Sequence, residues 1–140
     1  MSEANKQVIH AFLEDVINRK LLERANDLVK EDFIELDPLP GQAQGREGLK
    51  AVIAMLHAAF PDMHWVADEM IGEGDKVVTR FTWTGTHRGV FLGISATGKA
   101  VTVKGVVIDR LEQGKMADSR ILMDTMSLMQ QLGVMPGPPA

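Results

Sequence analysis

The hydrophobic rhythm of this chain changes near its middle, from helical spacing to strict alternation. From Asn5 to Ile17, Val8, Phe12 and Val16 recur together with Ile9, Leu13 and Ile17, leaving Lys6, His10, Glu14 and Asp15 on the other side. That spacing predicts an amphipathic helix. "LLERANDLV" predicts a second, shorter helix, and "DFIEL" a short strand stopped by the turn residues of "DPLPG". In "GREGLKAVIAMLHAAF" the stripe Leu49, Val52, Ile53, Leu56 and Phe60 predicts a third helix, ended by Pro61. After Pro61 come "MHWVADEMI", "VVTRFTWTGTH", "AVTVKGVVIDRL" and "MADSRILMD", joined by "GEGDK", a glycine-rich stretch and "EQGK". These segments predict an antiparallel meander of strands. Helices first and strands afterwards define an α+β class, with one face of a curved sheet laid on the helices.

Alternation also assigns faces, because residues two apart in a strand point the same way. One set is Val101, Val103, Gly105, Val107, Asp109 and Leu111; the strand before it contributes Thr79, Phe81 and Trp83. The last strand contributes Asp118, Arg120, Leu122 and Asp124, so Asp109, Arg120 and Asp124 are expected to point inward with the bulky residues. A bulge would move such an assignment by one residue and flip the face. Val106 and Ile108 fall on the outer face, an apolar pair that predicts a dimer through the sheet.

The bulk properties narrow the function. At 140 residues with 45% hydrophobic and 24% charged side chains, the chain is one ordinary domain that needs no metal or disulfide staple. Residues 1–134 are expected to form that domain and 135–140 a loose tail. A net charge of −4 and the lack of basic clusters interleaved with aromatics argue against nucleic acid. There is no cysteine, which removes disulfides, thiolate nucleophiles and zinc thiolate sites. The polar start "MSEANK" does not read as a secretory signal and no apolar run is long enough to span a bilayer, so a cytoplasmic protein without membrane contact is expected.

Candidate chemistry centres on Asp124 in "ILMDTM", an acid among apolar neighbours. In one reading it lies in a dry pocket with a raised pKa and acts as general acid and base. In the other it caps a final helix, Thr125 to Leu132, closed by Gly133, and its backbone hydrogen bonds lower the pKa instead. Asp109 and Arg120 read either as an ion pair on adjacent strands or as a polar cluster at a pocket floor. His87 in "GTHRG" reads as a solvent-facing turn histidine or a catalytic one. No two histidines have metal-pair spacing, so no metal site is expected. Met123, Met126 and Met129, like Trp65 and Trp83, suit a core first and a pocket wall second.

The segments "GREGLKAVIAMLHAAFPDMHW", "GEGDKVVTRFTWTGTHRGVFLGISATGKAVTVKG" and "MDTMSLMQQLG" resemble the SnoaL-like polyketide cyclase family, or ester cyclases, within the nuclear transport factor two-like superfamily. The resemblance runs from about Phe33 to Gly133. It implies a cone-shaped α+β barrel in which three helices close a bent sheet around an apolar pocket, usually dimeric through the outer sheet face. It also implies a cofactor-free, intramolecular aldol-type ring closure with an aspartate acid/base, which maps onto Asp124. Asp109, Arg120 and His87 join it as catalytic candidates, and Phe33, Leu36, Phe60, Phe81, Trp83, Val103, Val107, Leu122 and Met126 as the substrate-binding wall. The chain departs from the family pattern at Ser119 and Arg120, where a histidine and a tryptophan are common, at Leu36, often polar, and at Asp109, often aromatic. The expected substrate is a small, mostly apolar carbonyl compound. Two alternatives stand beside it: epoxide opening by an Asp/Arg/Asp cluster that resembles the limonene epoxide hydrolase family, and a module that binds its ligand without turnover.

Overall fold

A computed structural model describes residues 2–136, so the end of the expected tail, 137–140, lies outside the described residues. Helix α1 (Ser2–Ala11) runs directly into a π-helical turn, Phe12–Asn18. The predicted first helix is therefore present, but its second half is wound wider, with Arg19 N–H donating to the Glu14 carbonyl at 2.9 Å. This turn buries Phe12, Leu13, Val16 and Ile17. The predicted second helix is reduced to a 3₁₀ turn, Leu22–Arg24, and one α turn, α2 (Ala25–Leu28).

Strand β1 (Val29–Glu35) and helix α3 (Gly45–Ala59) follow, then β2 (His64–Glu73), β3 (Lys76–Thr86), β4 (Ala100–Glu112), β5 (Lys115–Met123) and the last helix α4 (Thr125–Leu132). The sheet order is β1-β5-β4-β3-β2. Strands β2 to β5 form the predicted antiparallel meander, and β1 adds to β5 in parallel. β1 and β2 are opposite edges, with α3 packed near β1 and α1 and the π turn near β2. The sheet is curved but does not close into the barrel that the resemblance implied; the helices fill the gap between its edges.

A bulge decides which side chains of β5 face inward. Arg110 pairs with Asp118 but Leu111 pairs with Met116, which leaves Ala117 as the extra residue. Beyond it, Ser119, Ile121 and Met123 stand opposite Asp109, Val107 and Gly105 and share their inner face. Unbroken alternation would have placed Asp118, Arg120 and Leu122 inside. They point outward instead, and Leu122 is 77% exposed.

On β3 and β4 the expected faces are the observed ones: Thr79, Phe81, Trp83, Val101, Val103, Val107 and Asp109 are all buried. The aromatic core continues through Phe60, whose ring meets Trp83 at 5.0 Å and Phe91 at 5.4 Å. Gly105 is required by the close approach of its neighbours, because a Cβ there would lie 2.5 Å from both the Phe81 ring and the Leu122 carbonyl. Among the described residues no helix is long and apolar enough to cross a membrane.

Candidate functional site

Between the helices and the inner face of the sheet lies a cavity of about 120 Å³. The helical side gives it Ile9, Phe12, Leu13, Leu49, Val52, Ile53 and Leu56, and the sheet side Phe33, Trp65, Val107, Ile121 and Met123. This wall is almost wholly apolar. Its polar members are Glu35, Asp37, Gln42, Asp109 and Ser119.

Strand register explains how the acids meet. Ser119 on β5 pairs with Glu35 of β1 on one side and with Asp109 of β4 on the other. The three residues therefore form one row across three strands, two carboxyls flanking a hydroxyl. Interstrand spacing puts the outer two Cα atoms about 10 Å apart, within reach of side chains that lean over Ser119. Among the described residues no lysine, arginine or histidine lines the cavity to neutralise them.

Removal from water raises the proton affinity of both acids, since a charge without a partner is costly in an apolar surround. Asp109 is 3% exposed. Burial pushes its carboxyl up to about 7, the Ser119 hydroxyl opposes the rise, and the charges of Glu35 and Asp118 add to it. Glu35 is likewise pushed up to about 7 by burial, opposed by the Asp37 N–H, reinforced by the Asp37 charge and opposed again by the Leu36 N–H. The Asp37 N–H donates to Glu35 Oε2 at 3.1 Å. Both carboxyls are thus held towards their protonated form by burial, the direction that suits a carboxyl to proton transfer near neutral pH.

Asp37 sits at the rim and ties the connection between β1 and α3 to β5. Its Oδ2 accepts the Ile121 N–H at 3.2 Å, and its Oδ1 accepts from Arg120 Nη1 at 3.5 Å. The same connection brings Leu39 and Gln42 over the cavity, held as a small turn in which Leu39 N–H donates to Gln42 Oε1 at 3.0 Å.

Of the residues singled out from the sequence, Asp109, Phe33 and Val107 line the cavity. Phe60, Phe81, Trp83 and Val103 are buried in the core outside its lining. Leu36 and Met126 are exposed, as is Leu122, because the strand ends before the first two and the bulge turns the third outward. Asp124 does not point inward. It is exposed, follows the last residue of β5, and caps α4 by accepting the Ser127 N–H at 3.0 Å. Gly133 closes that helix in the left-handed region at φ 82.

Arg120 does not meet Asp109; it is turned to the rim by the bulge, so neither the expected ion pair nor an Asp/Arg/Asp cluster forms. Asp118 pairs instead with Arg110 at 2.7 Å. His87 is fully buried rather than solvent-facing, and it lies off the cavity against Phe60. Its Nδ1 accepts the Thr97 N–H at 3.2 Å, which pins the loop between β3 and β4. Among the described residues no cluster of His, Cys, Asp or Glu is arranged to hold a metal ion.

Three residues of the site escaped the sequence reading: Glu35, Ser119 and Asp37. Glu35 was within reach, since it lies two residues after Phe33 on a strand and so shares that core-facing side. Ser119 was hidden by the bulge, and Asp37 by a parallel pairing between distant segments.

The fold agrees with the comparisons. The family model of the SnoaL-like polyketide cyclases matches residues 7–132, and the chain belongs to that family. TsrD from Streptomyces laurentii is similar at 28% identity and a TM-score of 0.88, with 96% of this chain and 98% of that one covered. IdmH from Streptomyces antibioticus is similar at 27% identity and a TM-score of 0.81, covering 92% and 98%. A SnoaL-like polyketide cyclase from Agrobacterium tumefaciens str. C58 shares the fold at 18% identity and a TM-score of 0.77, covering 92% and 98%. No curated protein sequence matches the chain.

Proposed function

We propose that this protein is a cofactor-independent acid/base catalyst acting on a small, mostly apolar carbonyl compound, with Asp109 and Glu35 as its proton-transferring pair. The observation that carries the reading is the row Glu35–Ser119–Asp109, two carboxyls of raised proton affinity in a cavity whose wall is otherwise apolar. The family description, polyketide cyclase, supports the same chemistry. An ionised Asp109 takes the proton from the carbon beside a carbonyl, and the C–H electrons become those of the enolate. In a ring closure the enolate carbon forms the new C–C bond to a second carbonyl carbon, whose oxygen takes the proton held by Glu35. Two carbonyl functions in one apolar chain suit the cavity, and burial supplies the pKa match that general acid/base catalysis needs.

The test follows hydrogen–deuterium exchange at the central carbon of β-diketones and β-keto esters by NMR in D₂O. Asp109→Asn and Glu35→Gln are each expected to lower protein-promoted exchange by roughly 10²-fold or more, while ligand binding persists. Binding of several such compounds without any promoted exchange in the wild-type protein would reduce it to a binding module. Unchanged exchange in both variants would remove these two residues from the mechanism.

A further inference from the structure

Three carboxyls and no base line the cavity: among the described residues its ionisable groups are Glu35, Asp37 and Asp109. Asp37 is engaged at the rim by the Ile121 N–H and Arg120. Glu35 accepts the Asp37 N–H, and Asp109, only 3% exposed, has the Ser119 hydroxyl beside it. Neither has an ion-pair partner among the described residues. The charges that act on them, Asp37 on Glu35 and both Glu35 and Asp118 on Asp109, are all of their own sign. The elements packed around the row bring nothing to balance it. The parts of α1, the π turn and α3 that reach the cavity are apolar, and His57 of α3 lies off its wall, with Nε2 2.8 Å from the Ile17 carbonyl. On β4, Arg110 is paired with Asp118 and Glu112.

A carboxyl buried without a counter-charge is relieved in one of two ways: it holds a proton, or it meets a cation brought from outside. The first describes the protein alone, since burial pushes both groups up to about 7. The second is open to a ligand that grips its own proton more tightly than the row does. An alkylammonium ion meets that condition, because its proton is held like that of lysine, with a pKa of about 10.4. The proton then stays on nitrogen and the carboxyls ionise to face it. A small metal ion does not fit, since it would give up its hydration shell for too few oxygens, and no cluster to hold one forms among the described residues. The rest of the wall suits a hydrocarbon body, and its aromatic members Phe12, Phe33 and Trp65 add to the attraction for a cation. An anion meets the reverse: like charges, or acids that must stay protonated to admit it.

We propose that the cavity binds small apolar amines in their protonated form, the ammonium group against the Glu35–Ser119–Asp109 row and the hydrocarbon part against the helices. This inference rests on the reading of the cavity as the ligand site and adds a class of ligand that regulates it. A bound ammonium ion leaves Glu35 without the proton that ring closure requires, and it fills the space of the carbonyl compound. Amines are therefore competitive inhibitors whose affinity increases as pH rises through 7.

Three probes on one ring test this with the whole chain: cyclopentylamine, cyclopentanol and cyclopentanecarboxylate, which are cationic, neutral and anionic. One small ring is scaled to the cavity, as roughly 150 Å³ admits benzene. NMR follows the backbone amides of Glu35, Asp109 and Ser119, which separates the cavity from acids on the surface. At pH 8 the amine is expected to bind about tenfold or more tighter than the alcohol, and the carboxylate not at all. From pH 8 to pH 5 the amine should weaken by roughly 10²-fold, because a proton must then be displaced from the row, while the alcohol holds steady. The double variant Glu35→Gln, Asp109→Asn should bring the amine down to the level of the alcohol. An alcohol as tight as the amine at pH 8, a carboxylate that binds, an amine affinity flat across that interval, a preference that survives in the double variant, shifts confined to surface acids, or no binding of any probe would each overturn the inference. The wild-type titrations decide the matter even if the double variant folds poorly. Promoted β-diketone exchange that cyclopentylamine does not inhibit would sink this inference alone, and amine binding without promoted exchange would sink only the catalytic reading.

Discussion

At the scale of single residues, two aspartates of this chain exchange the roles their sequence surroundings suggest. Asp124 has apolar neighbours in sequence and solvent around it in space; Asp109 sits in an unremarkable strand and is buried. The difference has a sign in pH. The folded chain holds the Asp109 proton up to about 7, against 3.8 for an ordinary aspartate. Between those values the folded state binds more protons than the unfolded one, so stability from this group is present below about pH 4 and is lost as pH rises through 7. Glu35 acts in the same direction. Urea unfolding at pH 5 and pH 8 should show the wild type weaker at pH 8, and Asp109→Asn should be more stable there than the wild type by roughly 1–3 kcal/mol. A wild type that gains stability across that interval contradicts the burial account. Asp124→Ala should cost about 1 kcal/mol through the lost cap, Asp124→Asn almost nothing, and neither should change promoted exchange. The face shared by Phe33 and Glu35 was readable from alternation alone, as was that of Asp109. What alternation could not supply was the charge environment, because burial of an acid is fixed by partners that sequence order does not place beside it.

Among the elements, the three long-period segments and the four alternating ones were legible with bounds close to those observed, because stripes and tight turns are local signals. The bulge at Ala117 was not, since nothing in "KMADSRIL" marks one residue as surplus until β4 is set beside it. That single insertion shifts the alternation counted from Met116, so Ser119 faces the site and Arg120 the rim. Removing Ala117 should close the bulge with Met116 still opposite Leu111, Asp118 opposite Arg110 and Ser119 opposite Asp109, so Ser119 stays inward and promoted exchange persists; loss of exchange in that variant would contradict this register. A second element-scale expectation concerns Gly48 near the start of α3. A Cβ there would collide with the Ala43 carbonyl of the connection that covers the cavity. Gly48→Ala should displace that connection, so ligand dissociation accelerates more than the unfolding midpoint falls; stopped-flow displacement of a bound β-diketone measures the first and thermal melting the second.

For the whole molecule, the outer sheet face is the prominent unaccounted surface. Ile71, Val78 and Ile108 lie in one row across β2, β3 and β4, and Val106 stands beside Leu122 on β4 and β5. We propose that a second copy of the chain covers this face, as the apolar pair Val106 and Ile108 already suggested from sequence. Light scattering at micromolar concentration should give the mass of two chains, and Val106→Lys with Leu122→Lys should give one; a wild type with the mass of one chain rejects the proposal. The parallel pairing of β1 with β5, Val29 beside Met116 and Glu35 beside Ser119, has a further result in time. During synthesis the early helices and β1 leave the ribosome long before their partner strand exists. Glu35 and Asp109 are brought into one row only by Ser119, so the acidic row of the cavity is assembled last, and until then the greasy stripe of Ile9, Phe12 and Leu13 has no sheet to rest on. A nascent chain halted before Lys115 would be a client for chaperones, not a smaller version of the folded protein.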